Sequence, residues 1–191
     1  ANSGNYWGSE LKSAGYDGLI IRGRAQAPVY LWLRDGQAEI RDAAWLWGKD
    51  AWATLKAVRA GHGDEEIQTA AIGQAGENLV RFASIENGPY DAWARTGLGA
   101  VMGSKNLKAV AVRGTGGVKA ARKKEFGQAV ADTRKAIFAS PFYGAFSRFG
   151  TMLVTLPYQE FGALPGRNFQ TGVIPGWVET RSRKLVPKYS N

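Results

Sequence analysis

A chain of 191 residues with 45% hydrophobic and 21% charged side chains has enough apolar mass to pack the core of one domain or one and a half, which excludes a disordered segment. It contains no cysteine and a single histidine, His62, so disulfides, thiolate nucleophiles and Cys-ligated metals are excluded from what these residues do by themselves. The net charge of +9, from 25 Lys and Arg against 16 Asp and Glu, raises the question of phosphate binding, but only Arg122-Lys123-Lys124 and Arg181-Ser182-Arg183-Lys184 cluster. Neither is interleaved with stacking aromatics, so no nucleic-acid partner is expected.

No stretch reaches the roughly 18 to 20 apolar residues of a bilayer span, and the opening residues lack the basic-then-apolar order of a signal peptide. A cytoplasmic protein with no membrane span is expected. Ala1-Asn2-Ser3-Gly4 reads as the middle of a polar loop, and Val186-Pro187-Lys188-Tyr189-Ser190-Asn191 stops without capping residues, so both ends are expected to be cuts in a longer chain.

In chain order, Leu19-Ile20-Ile21, Val29-Tyr30-Leu31-Trp32-Leu33 and Ala38-Glu39-Ile40 predict strands, with Asp35-Gly36 as a hairpin turn between the last two. Asp42 is placed to cap a short helical stretch from Ala43 to Gly48. A second helix is predicted from Asp50 to Ala60, with Trp52, Leu55 and Val58 at helical spacing and Gly61 ending it. Thr69 to Gly73 and Leu79 to Ile85 predict strands around a polar turn, Gln74 to Asn78, and Ala109 to Arg113 predicts the last strand of the first half. Gly114-Thr115-Gly116-Gly117 marks a flexible break and a domain boundary near Gly117. Beyond it, Lys124 to Ser140 and the region from Gly150 to Phe161 have helical character.

The richest segment for chemistry is Ala94-Arg95-Thr96-Gly97-Leu98-Gly99-Ala100-Val101-Met102-Gly103-Ser104-Lys105. Glycines let backbone N–H groups approach an anion, and Arg95 supplies a forked donor for phosphate, so the segment reads as an anion-binding loop or as a tight packing turn. It lacks the Gly-Lys-Ser/Thr ending of a nucleotide P-loop and the order of a dinucleotide fold. His62, between Gly61 and Gly63, reads as a solvated loop residue. Glu77 and Asn78 read as polar turn residues, the tryptophans as core and packing residues, and Asp64-Glu65-Glu66 as a helix start or surface loop. No complete catalytic set is present.

A longer pattern carries a resemblance. Ala71-Ile72-Gly73-Gln74-Ala75-Gly76-Glu77-Asn78-Leu79-Val80-Arg81-Phe82-Ala83, followed by Gly97-Leu98-Gly99-Ala100-Val101-Met102-Gly103-Ser104-Lys105-Asn106-Leu107-Lys108, resembles the first domain of the aldehyde:ferredoxin oxidoreductase family. Asn2-Ser3-Gly4 with Gly8, Glu10-Leu11-Lys12 and Ala14-Gly15-Tyr16-Asp17, then Leu46-Trp47-Gly48-Lys49, then Gly162-Ala163-Leu164-Pro165 with Arg167-Asn168-Phe169 extend the likeness over the whole chain.

The resemblance implies an α+β fold. Residues 1–117 would be part of a tungstopterin-binding first domain, two sheets packed with helices as a pterin platform. Residues 118–191 would begin a mainly helical second domain. It also implies a tungsten or molybdenum bis-pterin, a magnesium ion bridging the pterin phosphates, and a 4Fe-4S cluster whose ligands would follow shortly after Asn191. The implied activity is oxidation of aldehydes to carboxylic acids with ferredoxin as partner, in a homo-oligomer or multi-subunit complex. Residue by residue, Asn2, Gly4, Ala92, Arg95, Thr96 and Gly97 would face the cofactor, with Asn2 and Ala92 facing the magnesium. The family commonly carries an arginine where Asp91 stands and a glycine where Ala94 stands. The alternative that the residues leave open is a non-catalytic module holding a phosphate or other anion on Arg95 and the glycine turn.

Overall fold

A computed structural model describes residues 1–176. The first compact unit runs from Ala1 to Lys119, and the second begins at Ala120.

In the first unit α1 (Trp7–Ser13) presents Trp7, Leu11 and Ala14 at helical spacing to the sheet, and the Trp7 indole N–H donates to the Val110 carbonyl at 3.1 Å. Strands β1 (Val29–Arg34) and β2 (Gln37–Asp42) form an antiparallel hairpin. Its turn residues Asp35 and Gly36 both have positive φ, 46° and 84°, the geometry that matches the twist of paired strands and that Asp-Gly adopts readily. Asp50 caps α2 (Ala51–His62), accepting from the Ala53 N–H at 2.6 Å, and Gly63 ends the helix in the left-handed conformation. There follow β3 (Gln68–Ala71), α3 (Gln74–Glu77), β4 (Ile85–Asn87), β5 (Asp91–Trp93), α4 (Leu98–Ser104) and β6 (Leu107–Arg113).

The α+β class holds, but the expectation of two sheets is corrected: the six strands form one sheet in the order β2-β1-β6-β3-β4-β5. The physical reason is β6, which pairs in parallel with β1 on one side and antiparallel with β3 on the other, so the hairpin and the β3–β5 meander share it. A strand paired on both edges and packed on both faces reads as continuous apolar sequence, and Leu107 to Val112 are all buried. Leu33, Val110 and Val112 point to the face covered by α1 and Met102 of α4, while Tyr30, Trp32, Ala109 and Ala111 point to the face covered by Leu46, Val58 and Ile67.

Four further expectations change. Leu19-Ile20-Ile21 is not a strand, and Ile20 is exposed. The polar turn at 74–78 closes into the short helix α3, and of the strand expected over Leu79–Ile85 only its last residue lies in β4. Leu79 takes a positive φ of 58° as the chain leaves α3, and the following residues turn to bring their carbonyls against α4, as described below. The stretch predicted over 43–48 is a 3₁₀ turn, Ala44–Leu46, with the Asp42 carboxylate accepting from the Ala44 N–H at 3.2 Å.

The second unit contains α5 (Lys123–Phe138), α6 (Tyr143–Phe149), a 3₁₀ turn over Gly150–Val154 and α7 (Thr155–Glu160). Gln159 clamps the loop after it, its amide donating to the Ile174 carbonyl at 3.1 Å and accepting from the Ile174 N–H at 3.0 Å. Arg122-Lys123-Lys124 opens α5 on an exposed surface, and the cluster Arg181 to Lys184 lies outside the described residues. No helix of the described residues is long and apolar enough to cross a membrane.

Candidate functional site

The opening segment and the β4–β5 hairpin meet in a seam built around Asn87, which is 1% exposed. Its Nδ2 donates to Ser3 Oγ at 3.1 Å and to the Gly4 carbonyl, while its own carbonyl accepts from Asn5 Nδ2 at 3.0 Å. Asn87 Oδ1 is buried without a hydrogen-bond partner. Reversing the amide does not relieve this, because Oδ1 would then face the Gly4 carbonyl oxygen, acceptor against acceptor. Glycine at position 4 has a local reason: a Cβ there would sit 3.2 Å from Asp91 Oδ1, so its absence lets the carboxylate lie against the main chain. The seam therefore brings Gly4, and the exposed Asn2 before it, to the hairpin strand that contains Ala92.

Beyond β5 the chain turns sharply. Arg95 has φ 22° and is exposed, as is Thr96, whose hydroxyl and N–H both donate to the Ala94 carbonyl, at 3.1 and 2.5 Å. Gly97 is buried at the head of α4 with φ 77°. The glycines after Arg95 serve packing. A Cβ at Gly97 would strike the Arg81 carbonyl, one at Gly99 the Ser84 carbonyl, and one at Gly103 the Gly76 carbonyl. The Gly99 N–H already donates to the Ala83 carbonyl at 2.9 Å, so it is not offered to an anion. Of the anion-binding loop read from the sequence, the side chains of Arg95 and Thr96 remain at the surface, while the glycines hold α4 against α3 and the loop between α3 and β4.

A second cluster lies under the Trp47-Gly48-Lys49 loop. In the β1–β6 ladder Val29 faces Leu107 and Tyr30 faces Ala109, so Lys108 is the extra residue of a bulge. Bulges re-aim a side chain, and here the lysine is sent into the protein, 0% exposed, to pair with Glu77, itself 5% exposed. Lys108 Nζ also donates to the Lys49 carbonyl at 2.6 Å, both Glu77 oxygens accept from the Gly48 N–H at 3.1 and 2.9 Å, and Gln74 Nε2 donates to the Gly48 carbonyl at 2.7 Å. Burial lowers the Lys108 pKa below the ordinary lysine value, and the Glu77 carboxylate opposes that shift. Glu77, read as a turn residue, is thus half of a buried ion pair. A lysine set between Leu107 and Ala109 in an apolar run was its sequence signal. Asn87 had no comparable signal, since an Asn before Gly-Pro reads first as a turn.

One other expectation is corrected, and another gains a role. His62 is not a solvated loop residue: it ends α2, stacks on Trp32 with ring centroids 4.0 Å apart, and its Nε2 lies 3.2 Å from the Tyr30 hydroxyl and 3.4 Å from Arg41. Desolvation first, then the Arg41 charge, holds its pKa below the ordinary histidine value. Asp64 and Glu66 do lie in a loop, but there they pair with Arg113, which also binds Glu10 and so ties the end of β6 to α1.

The profile of the aldehyde ferredoxin oxidoreductase N-terminal domain matches residues 1–114, which contain all six strands of the sheet. The chain belongs to the aldehyde ferredoxin oxidoreductase family. Among relatives of this family member, the tungsten-containing aldehyde ferredoxin oxidoreductase of Pyrococcus furiosus is 44% identical over 190 residues, 99% of this chain and 31% of that protein. The enzyme of the same name from Thermococcus kodakarensis is 42% identical over the same 99% and 31%. The WOR-like subunit of an aliphatic sulfonate oxidoreductase from Pyrococcus furiosus is 43% identical over 62% of this chain and 21% of its own. Among solved structures, the active site complex BamBC of benzoyl coenzyme A reductase with 1,5-dienoyl-CoA superposes with a TM-score of 0.68 at 44% identity, over 71% of this chain and 20% of that one. The chain therefore spans about a third of the length of the tungsten-containing relatives that it matches.

Proposed function

We propose that this chain is the cofactor-platform part of a tungsten-pterin oxidoreductase that oxidises aldehydes to carboxylic acids and passes the electrons to ferredoxin. Residues 1–117 belong to the tungstopterin-binding domain, and residues 118–191 begin the helical second domain. The observation that carries the reading is the Asn87 seam. It sets the Asn2–Gly4 segment beside the hairpin of Ala92, with a buried acceptor left over and with Arg95 and Thr96 exposed beyond. Those features fit a polyanionic pterin ligand: the close main-chain approach at Gly4 gives it a surface, the orphan oxygen gives its N–H groups or a bound water an acceptor, and Arg95 gives a phosphate a forked donor.

In this reading the main-chain carbonyls of Asn2 and Ala92 face the magnesium, Arg95 and Thr96 bind phosphate oxygens, and Gly97 sets the turn that aims them. When bound, the pterin-held tungsten, or molybdenum in its place, supplies the two-electron chemistry, by which an aldehyde and water become a carboxylic acid with release of two protons and two electrons. This chain's own residues bind and orient, and they hold no complete set of acid and base groups for the proton transfers. The 4Fe-4S ligands belong to the longer polypeptide, cytoplasmic in this reading. The relatives' names support tungsten and ferredoxin. The non-catalytic anion-binding alternative loses its main support once the Gly99 N–H is seen to be taken by Ala83.

The test is aldehyde-dependent reduction of ferredoxin by the full-length protein purified without oxygen. Reduction that requires the aldehyde is expected. A tungsten-loaded protein that leaves ferredoxin oxidised with a panel of aliphatic and aromatic aldehydes would overturn the assigned substrate class.

A further inference from the structure

The apolar run Leu19-Ile20-Ile21 is not taken up by the sheet, and it borders a groove in the first unit. Leu31 of β1 and Ile40 of β2 are directly opposed, and opposed residues leave the same face of a sheet. With Leu107 of β6 they floor a cavity of about 410 Å³, within the ~300–1,000 Å³ of small-molecule sites. Helix α1 covers this face at the other end of β1, where the Gly36 N–H donates to the Ala14 carbonyl at 2.8 Å. Ile40 on the floor is left 75% exposed, and Ile20 on the wall 85%. The wall is tied to the turn between α4 and β6. There the Ala25 N–H donates to the Lys105 carbonyl at 3.0 Å, Asn106 Nδ2 to the Ala25 carbonyl at 2.8 Å and Lys105 Nζ to the Gly23 carbonyl at 3.1 Å. A groove fastened in this way is pre-organised, so little ordering entropy is lost when a ligand enters.

The charge of the groove is one-sided. Arg22, Arg24 and Lys105 line it, and among the described residues no acidic side chain does. Neither arginine forms an ion pair among the described residues, and the Lys105 ammonium, with three protons to donate, gives one to Gly23. The acids of β2 are engaged elsewhere: Glu39 pairs with Arg41, and the Asp42 carboxylate accepts from the Ala44 N–H. We infer that this groove binds a small amphipathic anion, its alkyl or aryl body on Leu31, Ile40 and Leu107 and its carboxylate or phosphate head on Arg22 and Arg24. Apolar area removed from water supplies affinity, and the forked guanidinium donors select an oxyanion head. The groove lies on the β2 side of the sheet, and the Asn87 seam on the opposite, β5 side. The inference therefore does not rest on the proposed function.

The test is isothermal titration calorimetry of the full-length protein with octanoate, octyl phosphate and, as an uncharged control, octanol. One or both anions are expected to bind, the tighter naming the head group, with octanol weaker by about 10-fold or more. The double variant Arg22→Gln with Arg24→Gln, both exposed positions, is expected to weaken the anion by about 10-fold or more while the protein stays folded by circular dichroism. Ile40→Glu, which sets a carboxylate on the floor beside the arginines, is expected to weaken it as well. Neither anion binding to the wild type, octanol binding as tightly as the anions, or an anion affinity unchanged in the folded double variant would each overturn the inference. Binding at the proposed cofactor edge would survive the arginine substitutions, so the last result separates that edge from the groove.

Discussion

Two residues show how little room the sequence left for substitution where it broke its own pattern. Lys108 interrupts an apolar strand because its ammonium holds the Lys49 carbonyl and the Glu77 carboxylate, which in turn holds the Gly48 N–H. Removing one partner of a buried pair leaves an uncompensated charge, a loss of about 3–5 kcal/mol, whereas replacing both with apolar groups is often near neutral. Lys108→Met should therefore speed hydrogen exchange of the Gly48 amide on the order of 100-fold or more, and the double variant Lys108→Met with Glu77→Leu should recover stability relative to the single one. A double variant destabilised by the sum of the two single variants would show that the pair is not coupled. His62 gives a pH prediction. Its pKa is lowered in the fold by desolvation and by Arg41, so between the folded value and the ordinary one of about 6.5 the unfolded chain binds more protons. Its contribution is present above pH about 6.5 and is lost on acidification. Heat resistance of the full-length protein should thus fall between pH 7 and 5, and His62→Gln should flatten that fall. A drop of the same size in both proteins would refute the assignment.

At the scale of elements, the close approach of α4 to α3 is set by glycines that no larger residue can replace. A Cβ at Gly103 would overlap the Gly76 carbonyl, and a backbone atom cannot swing aside as a side-chain tip can. Gly103→Ala should cost at least the 1–3 kcal/mol typical of overpacking, read as loss of soluble protein or as raised exchange across α3 and α4, while Gly127→Ala, in α5 with open space around it, should be tolerated. The same elements show what could be read in advance. The β1–β2 hairpin, α2, β6 and α5 were legible because each carries a strong local signal: Asp-Gly, a capping Asp, an apolar run, a helical spacing. The merging of two expected sheets into one was not legible, because it depends on both edges of β6 finding partners distant in sequence. The strand expected over Leu79–Ile85 failed for a similar reason. Its apolar residues fit extended structure locally, but the carbonyls of Arg81, Ala83 and Ser84 are required against α4. Of the site, Arg95 and Gly4 were visible from composition and resemblance. Asn87, on which the seam turns, was not, since its role comes from contacts with Ser3, Gly4 and Asn5 more than 80 residues away.

At the scale of the whole molecule, the family is established by a domain profile covering residues 1–114 and by relatives that are 42–45% identical over nearly the full chain, whereas this chain covers 31% of their length. The first unit has the design of a platform. A doubly covered sheet buries its central strand, an ion pair locks the loop above the bulge, and the Arg113 cluster anchors the far end of β6. The polar seam at Asn87 is left at the β4–β5 edge of the sheet. Rigid support beneath a short polar contact zone is what positioning a large cofactor requires, since the cofactor brings the redox chemistry and the protein supplies orientation and charge. The central claim is that the seam serves a tungsten-pterin centre, and the most direct measurement is elemental analysis of the full-length protein purified without oxygen from cells supplied with tungstate. Close to one tungsten per chain, accompanied by iron and pterin phosphorus, is the predicted result. A folded protein free of tungsten, molybdenum and pterin phosphorus under those conditions would contradict it.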